Sequence, residues 1–475
     1  MARKNFTIEE ITKIHKASMS VLKKSGVAFN DPQAITIFKK SGFRVDGQVV
    51  YFTEDEIFKA LETVPSRFKL TARNPERSVF IGEDDQVFVG TYGAPFVYSS
   101  TGVQRPGTME DYDNICKLVQ TSRHVDMNGF KHVQPNDIRA ESSYLNMLFS
   151  NIVLCNKPFM GSTDTRAAAR DSLEMAGIVF GGMEKLSNTP VMIGLINSLS
   201  PLRYAQEMAG SIIEYARYRQ PLCIANMLMA GTSGPVNLAG LLVLMNAELL
   251  AGIVLSQLVG PGTPVIYGTT SCPTNMKNGT ASVGSPETVL IGCAAIQLAG
   301  YYKLPCRTGG SLTDAHVSDA QALAEGALIL SQSFGEGAHF ILHACGMIGG
   351  YLGVSLEKWL IDEELCGMIR RTLSPPKINE KSLSLESIEK MGIGGNYLME
   401  PETLKSCRTA FFKFDLYSKQ DHSSWTRKSG RRVEDYARDM LLKRLGAYEK
   451  PDIDAALESD LSKFVAKRKD ENTRF

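Results

Sequence analysis

The chain has 475 residues, 43% hydrophobic and 22% charged, with 52 Lys and Arg against 51 Asp and Glu for a net charge of +1. That length accommodates one large domain with additions or two domains, and the charge balance provides no overall basic field for nucleic acid or an acidic membrane surface. The nine cysteines form no C-x-x-C pair and no zinc spacing, so buried reduced thiols are expected. No stretch is expected to reach the ~18 apolar residues of a membrane span, and the N-terminus lacks an apolar signal core, which predicts a cytoplasmic protein.

Residues 7–25 set Ile8, Ile11, Ile14, Met19 and Leu22 near helical spacing, with Thr7 as N-cap and Gly26 as stop. A further helix is predicted at 53–63, where Thr53 opens a capping-box pattern ahead of Ile57 and Leu61. Strand-like alternation follows at 68–72, 79–81, 87–89 and 96–98, separated by turn residues. Residues 1–105 therefore read as N-terminal helices and β-hairpins that contribute to the domain behind them.

From 109 the rhythm becomes strand and helix in alternation. Helix 109–121 leads to a strand at 124–130, a helix from 139 leads to a strand at 157–161, and a helix from 165 leads to the run Val191–Asn197. Helices 203–218, 237–258, 286–301 and 318–334 precede runs at 221–227, 264–270, 304–310 and 339–346 respectively, and these apolar runs end in small and polar residues. Seven such repeats, with 86–100 able to supply an eighth strand, predict an α/β fold: a (β/α)8 TIM-type barrel with its core at 106–355. A doubly wound open sheet also alternates strand and helix, but no G-x-G-x-x-G follows any strand and seven near-regular repeats are many for an open sheet. Residues 356–475 read as a C-terminal helical extension, broken at Pro375–Pro376 and at 392–396.

Such a barrel collects its chemistry at the C-terminal strand ends. There the sequence offers Tyr92, Tyr98, Asn128, Thr163, Asp164, Asn197, Asn226, Thr269–Ser271, Arg307–Ser311, His343 and Cys345. Neutral hydrogen-bonding groups dominate, and paired carboxylates for general acid and base work are absent. His339, His343 and Cys345 share one strand face, a pattern that suits core and hydrogen-bonding roles as readily as a zinc site, and no metal is assigned. Gly309, Gly310 and Ser311, ahead of a helix, either let an anion or a flat cofactor approach the backbone or make a tight turn. The aromatic residues Tyr92, Phe96, Tyr98 and Tyr351 suit a quaternary ammonium, at about 0.5–2 kcal/mol of cation–π attraction per ring, though each taken singly is more often core.

Five segments carry a family likeness: Gly-Thr-Tyr-Gly-Ala-Pro at 90–95, Cys-Arg-Thr-Gly-Gly-Ser at 306–311, Ser-Asp-Ala-Gln-Ala at 318–322, His-Ala-Cys-Gly-Met-Ile-Gly-Gly at 343–350 and Leu-Glu-Lys at 356–358, with Asp362 beyond. In this order they resemble the trimethylamine methyltransferase family, and the likeness runs over nearly the whole chain. The resemblance implies a barrel enzyme that moves a methyl group from an amine to the cobalt of a corrinoid (cobalamin) carried by a separate partner protein, with no cofactor held tightly by this chain.

The archaeal trimethylamine enzymes of that family carry pyrrolysine in the barrel, whereas every residue here is a standard amino acid. An amine with a free lone pair is a poor leaving group until it becomes cationic. A quaternary ammonium is cationic already and departs as a neutral tertiary amine, so it needs positioning and exclusion of water rather than an acid or base. The resemblance thus implies a quaternary amine substrate, glycine betaine first, with proline betaine and carnitine as alternatives. Tyr92, Phe96, Tyr98 and Tyr351 become candidates for the ammonium cage, and Arg307 with His343 for the substrate carboxylate. Asn197 and Asn226 would line the pocket, and Gly309, Gly310 and Ser311 would face the corrin. A barrel that only binds the amine, and a metal-dependent lyase or hydrolase, are the competing readings; an assembly of identical chains is compatible with all of them.

Overall fold

Strands covered on both faces must be apolar on both, and the runs Met192–Ile196, Leu222–Ala225 and Val265–Tyr267 are. In the computed structural model, which describes residues 5–428 and 430–472, they form the middle of a seven-stranded parallel sheet. Its members are β1 (Val87–Phe88), β2 (Phe159–Gly161), β3 (Met192–Asn197), β4 (Leu222–Asn226), β5 (Val265–Thr269), β6 (Cys306–Gly309) and β7 (Phe340–Leu342), in the spatial order β1-β7-β6-β5-β4-β3-β2. The architecture is a TIM-barrel-like α/β fold.

The segment at 124–130, expected as a strand, is not one. It runs between the two edge strands: Asp126 N donates to Phe88 O (2.9 Å), Gly90 N to Met127 O (3.4 Å) and Asn128 N to Pro158 O (2.8 Å). Side chains take over the rest of its backbone, with Tyr112 Oη donating to Phe130 O and Asn151 Nδ2 to Gly129 O. These two carbonyls bond to side chains where a neighbouring strand would otherwise bond them, and the ladder is not continued there.

Helices up to residue 372 include α1 (Ile8–Lys24), α2 (Pro32–Lys40), α3 (Glu54–Leu61), α4 (Met109–Thr121), α5 (Ser143–Leu154), α6 (Arg166–Phe180), α7 (Gln206–Arg217), α8 (Leu238–Val259), α9 (Pro286–Tyr301), α10 (Ala320–Gly335) and α11 (Leu356–Thr372), and Val433–Gly446 and Ala455–Asn472 are the longest beyond it. Thr7 and Thr53 cap α1 and α3 in full capping boxes, as their sequences predict. Between them α2 is an element the periodicity did not reveal, although its start is written plainly: Asp31 accepts from Ala34 N (2.9 Å) and Pro32 stands in the first turn. α8 corrects the expectation about membrane spans, since its 22 residues are long and apolar enough to cross one. It is mostly buried, packed on the sheet and beneath α1 and α3, so its apolar surface all round is that of a core helix.

Two of the four smaller sheets among the described residues finish the ends. At the C-terminal ends of the strands a lid is formed by Phe96–Tyr98, Gln104–Pro106, Met347–Ile348 and Gly353–Val354. At the opposite end the hairpin of Arg67–Leu70 with Val79–Gly82 meets the starts of β3 and β2, through Thr71 N to Pro190 O (2.8 Å) and Asn74 N to Asn156 O (3.1 Å). Eight cysteines are buried and reduced as expected, and Cys407 is exposed.

Candidate functional site

Strand parity decides which side chains reach the interior of the sheet. Along β4, Ile224 lies against Gly252 of α8, so residues of that parity face the helices, while Cys223 and Ala225 face inward. The register Asn197↔Ala225, Ala225↔Gly268 and Gly268↔Arg307 then sets Asn197, Ala225, Gly268 and Arg307 in one inward row. Two of the four are small, which is how a long side chain finds room: a Cβ on Gly268 would stand 3.2 Å from the Arg307 side chain and from Cys223 Sγ.

Arg307 is 1% exposed. Its guanidinium makes one hydrogen bond, to His343 Nδ1 (3.2 Å), its Nε has no partner, and it pairs with no carboxylate among the described residues. Burial pulls its pKa down, with Cys223 and Tyr351 opposing, yet a guanidinium stays charged. A buried cation left without a counter-ion is costly in a finished fold.

His343 is fixed from four sides. Its N donates to Gly90 O (3.1 Å), its O accepts from Ser311 N (2.9 Å), its Nδ1 accepts from Arg307, and its Nε2 lies 3.0 Å from Tyr92 O. Since Nδ1 faces a donor, the proton sits on Nε2 and is given to Tyr92 O. Burial, then the Arg307 charge, hold its pKa well below the usual histidine range, so the ring is neutral. His343 and Tyr351 have φ of 64° and 73°, left-handed backbone that costs a non-glycine residue about 1–3 kcal/mol and gathers at functional sites. Their rings meet edge to face at 5.2 Å between centroids. The Tyr351 hydroxyl is buried without a partner, and burial keeps it and the Tyr92 phenol protonated.

Four expected site residues thus converge: Tyr92, Arg307, His343 and Tyr351. Asn197 shares the Arg307 row and is exposed at the rim. Phe96 and Tyr98 belong to the lid sheet, where Tyr98 stacks on His316 at 6.1 Å. Asn226 is turned outward, because its parity is that of Ile224; its Nδ2 donates to Met245 O and Glu248 Oε2 (both 3.2 Å). Gly309, Gly310 and Ser311 are buried among protein atoms. A Cβ on Gly310 would lie 2.4 Å from His343 O, so this glycine lets the loop after β6 close on the end of β7. Ser311 Oγ donates to Asp362 Oδ1 (2.8 Å) and accepts from Lys358 Nζ (3.1 Å), inside a buried ion pair of 2.6 Å between Lys358 and Asp362. Cys345 Sγ faces Cys366 Sγ at 3.9 Å, away from His343.

Sequence reasoning missed two buried polar centres near the strand ends. Glu248 Oε1 and Oε2 accept from Ser198, Ser200, Asn226 and Leu202 N, which fixes the loop after β3; its signal was a lone carboxylate in an otherwise apolar helix. His132 lies beneath Gly90 and Gly129, its Nδ1 3.1 Å from Thr91 O and its Nε2 without a partner. Burial holds its pKa down to about 3.

The pH dependence follows. An unfolded histidine protonates near pH 6.5, whereas His132 in the fold stays neutral down to about 3, so the unfolded state binds the extra proton as pH falls. Stability contributed by the neutral ring is present above pH 6.5 and is lost below it, at a slope approaching about 1.4 kcal/mol per pH unit. Buried carboxylates such as Asp314 and Asp362, raised by burial, act with the opposite sign, so the comparison must be between variants. Urea unfolding at pH 7 and pH 5 should show a smaller loss in His132→Asn than in the parent; equal losses would remove His132 from the account.

The class comes first from the backbone. The crystal structure of the hydroxylamine MtmB complex matches 91% of this chain and 87% of that one with a TM-score of 0.52, a likeness of fold at 14% identity. The sequence carries the assignment further: the trimethylamine methyltransferase (MTTB) family description matches residues 2–473, and the chain belongs to that family of methyltransferases. It is 38% identical over 462 residues to the glycine betaine methyltransferase of Desulfitobacterium hafniense (strain Y51), covering 97% of this chain and 96% of that one. To the proline betaine:corrinoid methyltransferase of Eubacterium limosum it is 33% identical, covering 88% and 87%.

Proposed function

We propose that this methyltransferase demethylates a quaternary amine bearing a carboxylate, glycine betaine first, and passes the methyl group to a corrinoid protein. The observation that carries the reading is the buried, carboxylate-free Arg307 beside Tyr92, His343 and Tyr351. Arg307 receives the substrate carboxylate, and neutral His343 orients the guanidinium by accepting a hydrogen bond from it. Tyr92 and Tyr351 offer ring faces to the trimethylammonium group.

The residues also fit an acceptor brought from outside. Within this cluster no carboxylate is placed to act as acid or base, and the leaving group asks for none: the C–N pair stays on nitrogen and dimethylglycine departs neutral at its amine. The acceptor, a Co(I) corrinoid on a partner protein, supplies the electron pair for the new bond to the methyl carbon. Asn197 and Met227, exposed at the ends of β3 and β4, form part of the rim the partner covers. The reading takes the irregular segment 124–130 as what closes the sheet between β1 and β2 into a (β/α)8-type barrel, supported by its bonds to both edge strands.

The test is a substrate panel with reduced free cobalamin, following methylcobalamin by absorbance. Glycine betaine should be consumed, proline betaine and carnitine distinguish the alternatives, and trimethylamine should be inert. Trimethylamine used as well as betaine would overturn the leaving-group argument, and betaine bound without transfer would favour a carrier. Tyr351→Leu should lower kcat/KM for betaine by about 2- to 30-fold, the worth of one cation–π face of about 0.5–2 kcal/mol.

A further inference from the structure

Between α11 and the return of the chain at Leu416, no residue from 371 to 415 is buried. Helices at Leu385–Met391 and Pro401–Ser406 stand in this arm without a single buried side chain. Helices this short do not hold in water by themselves. The arm is also not written as a solvated linker: of the 24 large hydrophobic side chains exposed among the described residues, 11 fall between Leu373 and Phe411. Ile378, Ile393, Leu398, Met399 and Phe411 are almost fully exposed. A monomer rarely shows so concentrated an apolar surface.

Three observations choose the occupant. The stretch 373–411 contains five Lys or Arg and five Asp or Glu, so it has no net charge with which to seek an acidic or basic partner. The arm leaves from the end of α11 and returns where Glu364 accepts from Asp415 N and Leu416 N (both 2.8 Å). Leu373 lies beside Gly335, where α10 ends ahead of β7, so the arm starts at the N-terminal ends of the strands, opposite the rim where an acceptor must dock. The body of the same chain carries an open, mostly apolar groove between α1, α8 and α9, lined by Phe6, Ile14, Leu238, Leu242, Leu290 and Ile291 together with Asn5 and the oppositely charged Glu10 and Lys13. Leu290 is exposed within it.

We infer that the arm is an assembly element: the 373–411 segment of one copy packs its leucine- and isoleucine-rich face into the α1/α8/α9 groove of a second copy of this chain. The interface is hydrophobic and neutral, as befits a lasting contact between identical subunits rather than a transient one.

Sedimentation velocity of the full chain at micromolar concentration tests this. The parent should run as a dimer or larger, and the triple variant Ile393→Asp/Leu398→Asp/Met399→Asp as a monomer with an unchanged far-UV spectrum, since none of the three is buried within the chain. Leu290→Glu, on the groove side, should dissociate the assembly as well. Trypsin should cut the arm in the triple variant at least tenfold faster than in the parent. A monomeric parent overturns the inference, as does an assembly indifferent to either variant, or an arm protected only when a corrinoid protein or lipid vesicles are added. These readouts do not involve methyl transfer, so they stand or fall apart from the proposed substrate.

Discussion

Arg307→Met is expected to lower kcat/KM for glycine betaine by about 30- to 4,000-fold while leaving the fold as stable as before. The first half rests on the cost of removing one member of a buried, hydrogen-bonded charge pair, about 2–5 kcal/mol, at 1.4 kcal/mol per factor of ten. The second half rests on what Arg307 lacks. It has one hydrogen bond and no anionic partner within the protein, so replacing it by an apolar side chain of similar length removes a desolvated charge and breaks no ion pair. The two halves separate a ligand-binding role from a scaffold role, because a structural arginine would lose stability with activity. Tetramethylammonium, which has no carboxylate, supplies the control: whatever rate the parent gives with it, the variant should match. An unchanged kcat/KM for betaine, or a large drop in thermal midpoint, would take the carboxylate away from Arg307.

Asp362→Ala is expected to behave in the opposite way, with a loss of about 3–5 kcal/mol in stability. Lys358 and Asp362 are 2% and 1% exposed, and the carboxylate also accepts from Gly346 N (2.7 Å) and Ser311 Oγ (2.8 Å). Removing it strands an ammonium in the interior and unties the loops after β6 and β7 at once. Those loops hold the left-handed backbone of His343, through Ser311 N and the close approach of Gly310. The double variant Lys358→Met/Asp362→Leu should recover most of the stability, since paired burial is replaced by packing. Urea midpoints of the parent, single and double variants decide it; a single variant within 1 kcal/mol of the parent would mean that water reaches the pair.

Much of the fold could be read because apolar runs ending in small polar residues are what a parallel sheet demands, and β3 to β7 lie where those runs fall. The run at 124–130 failed because side chains from α4 and α5, Tyr112 and Asn151, bond its carbonyls, and no local pattern announces a partner so distant. At the site, residue type was legible and direction was not. Arg307 and Asn226 both stand at strand ends, yet only the cross-strand register tells that one points inward and the other toward α8. The Gly309–Gly310 pair showed that some close approach was needed there. That the approaching group is the chain's own β7 end required coordinates.

The interior rows beneath Arg307 are filled: Ile193, Cys223 and Ile266 have no exposed surface, and the hairpin at 67–82 lies against the far ends of β2 and β3. Under the proposed function the partner that accepts the methyl group sits on the rim at the C-terminal ends of the strands. Under the proposed reaction this imposes a queue. The amine has to enter before the partner docks, and the demethylated product waits until the partner lifts away. Turnover is then paced by how fast two proteins separate, and a partner that binds too tightly slows its own supply of methyl groups.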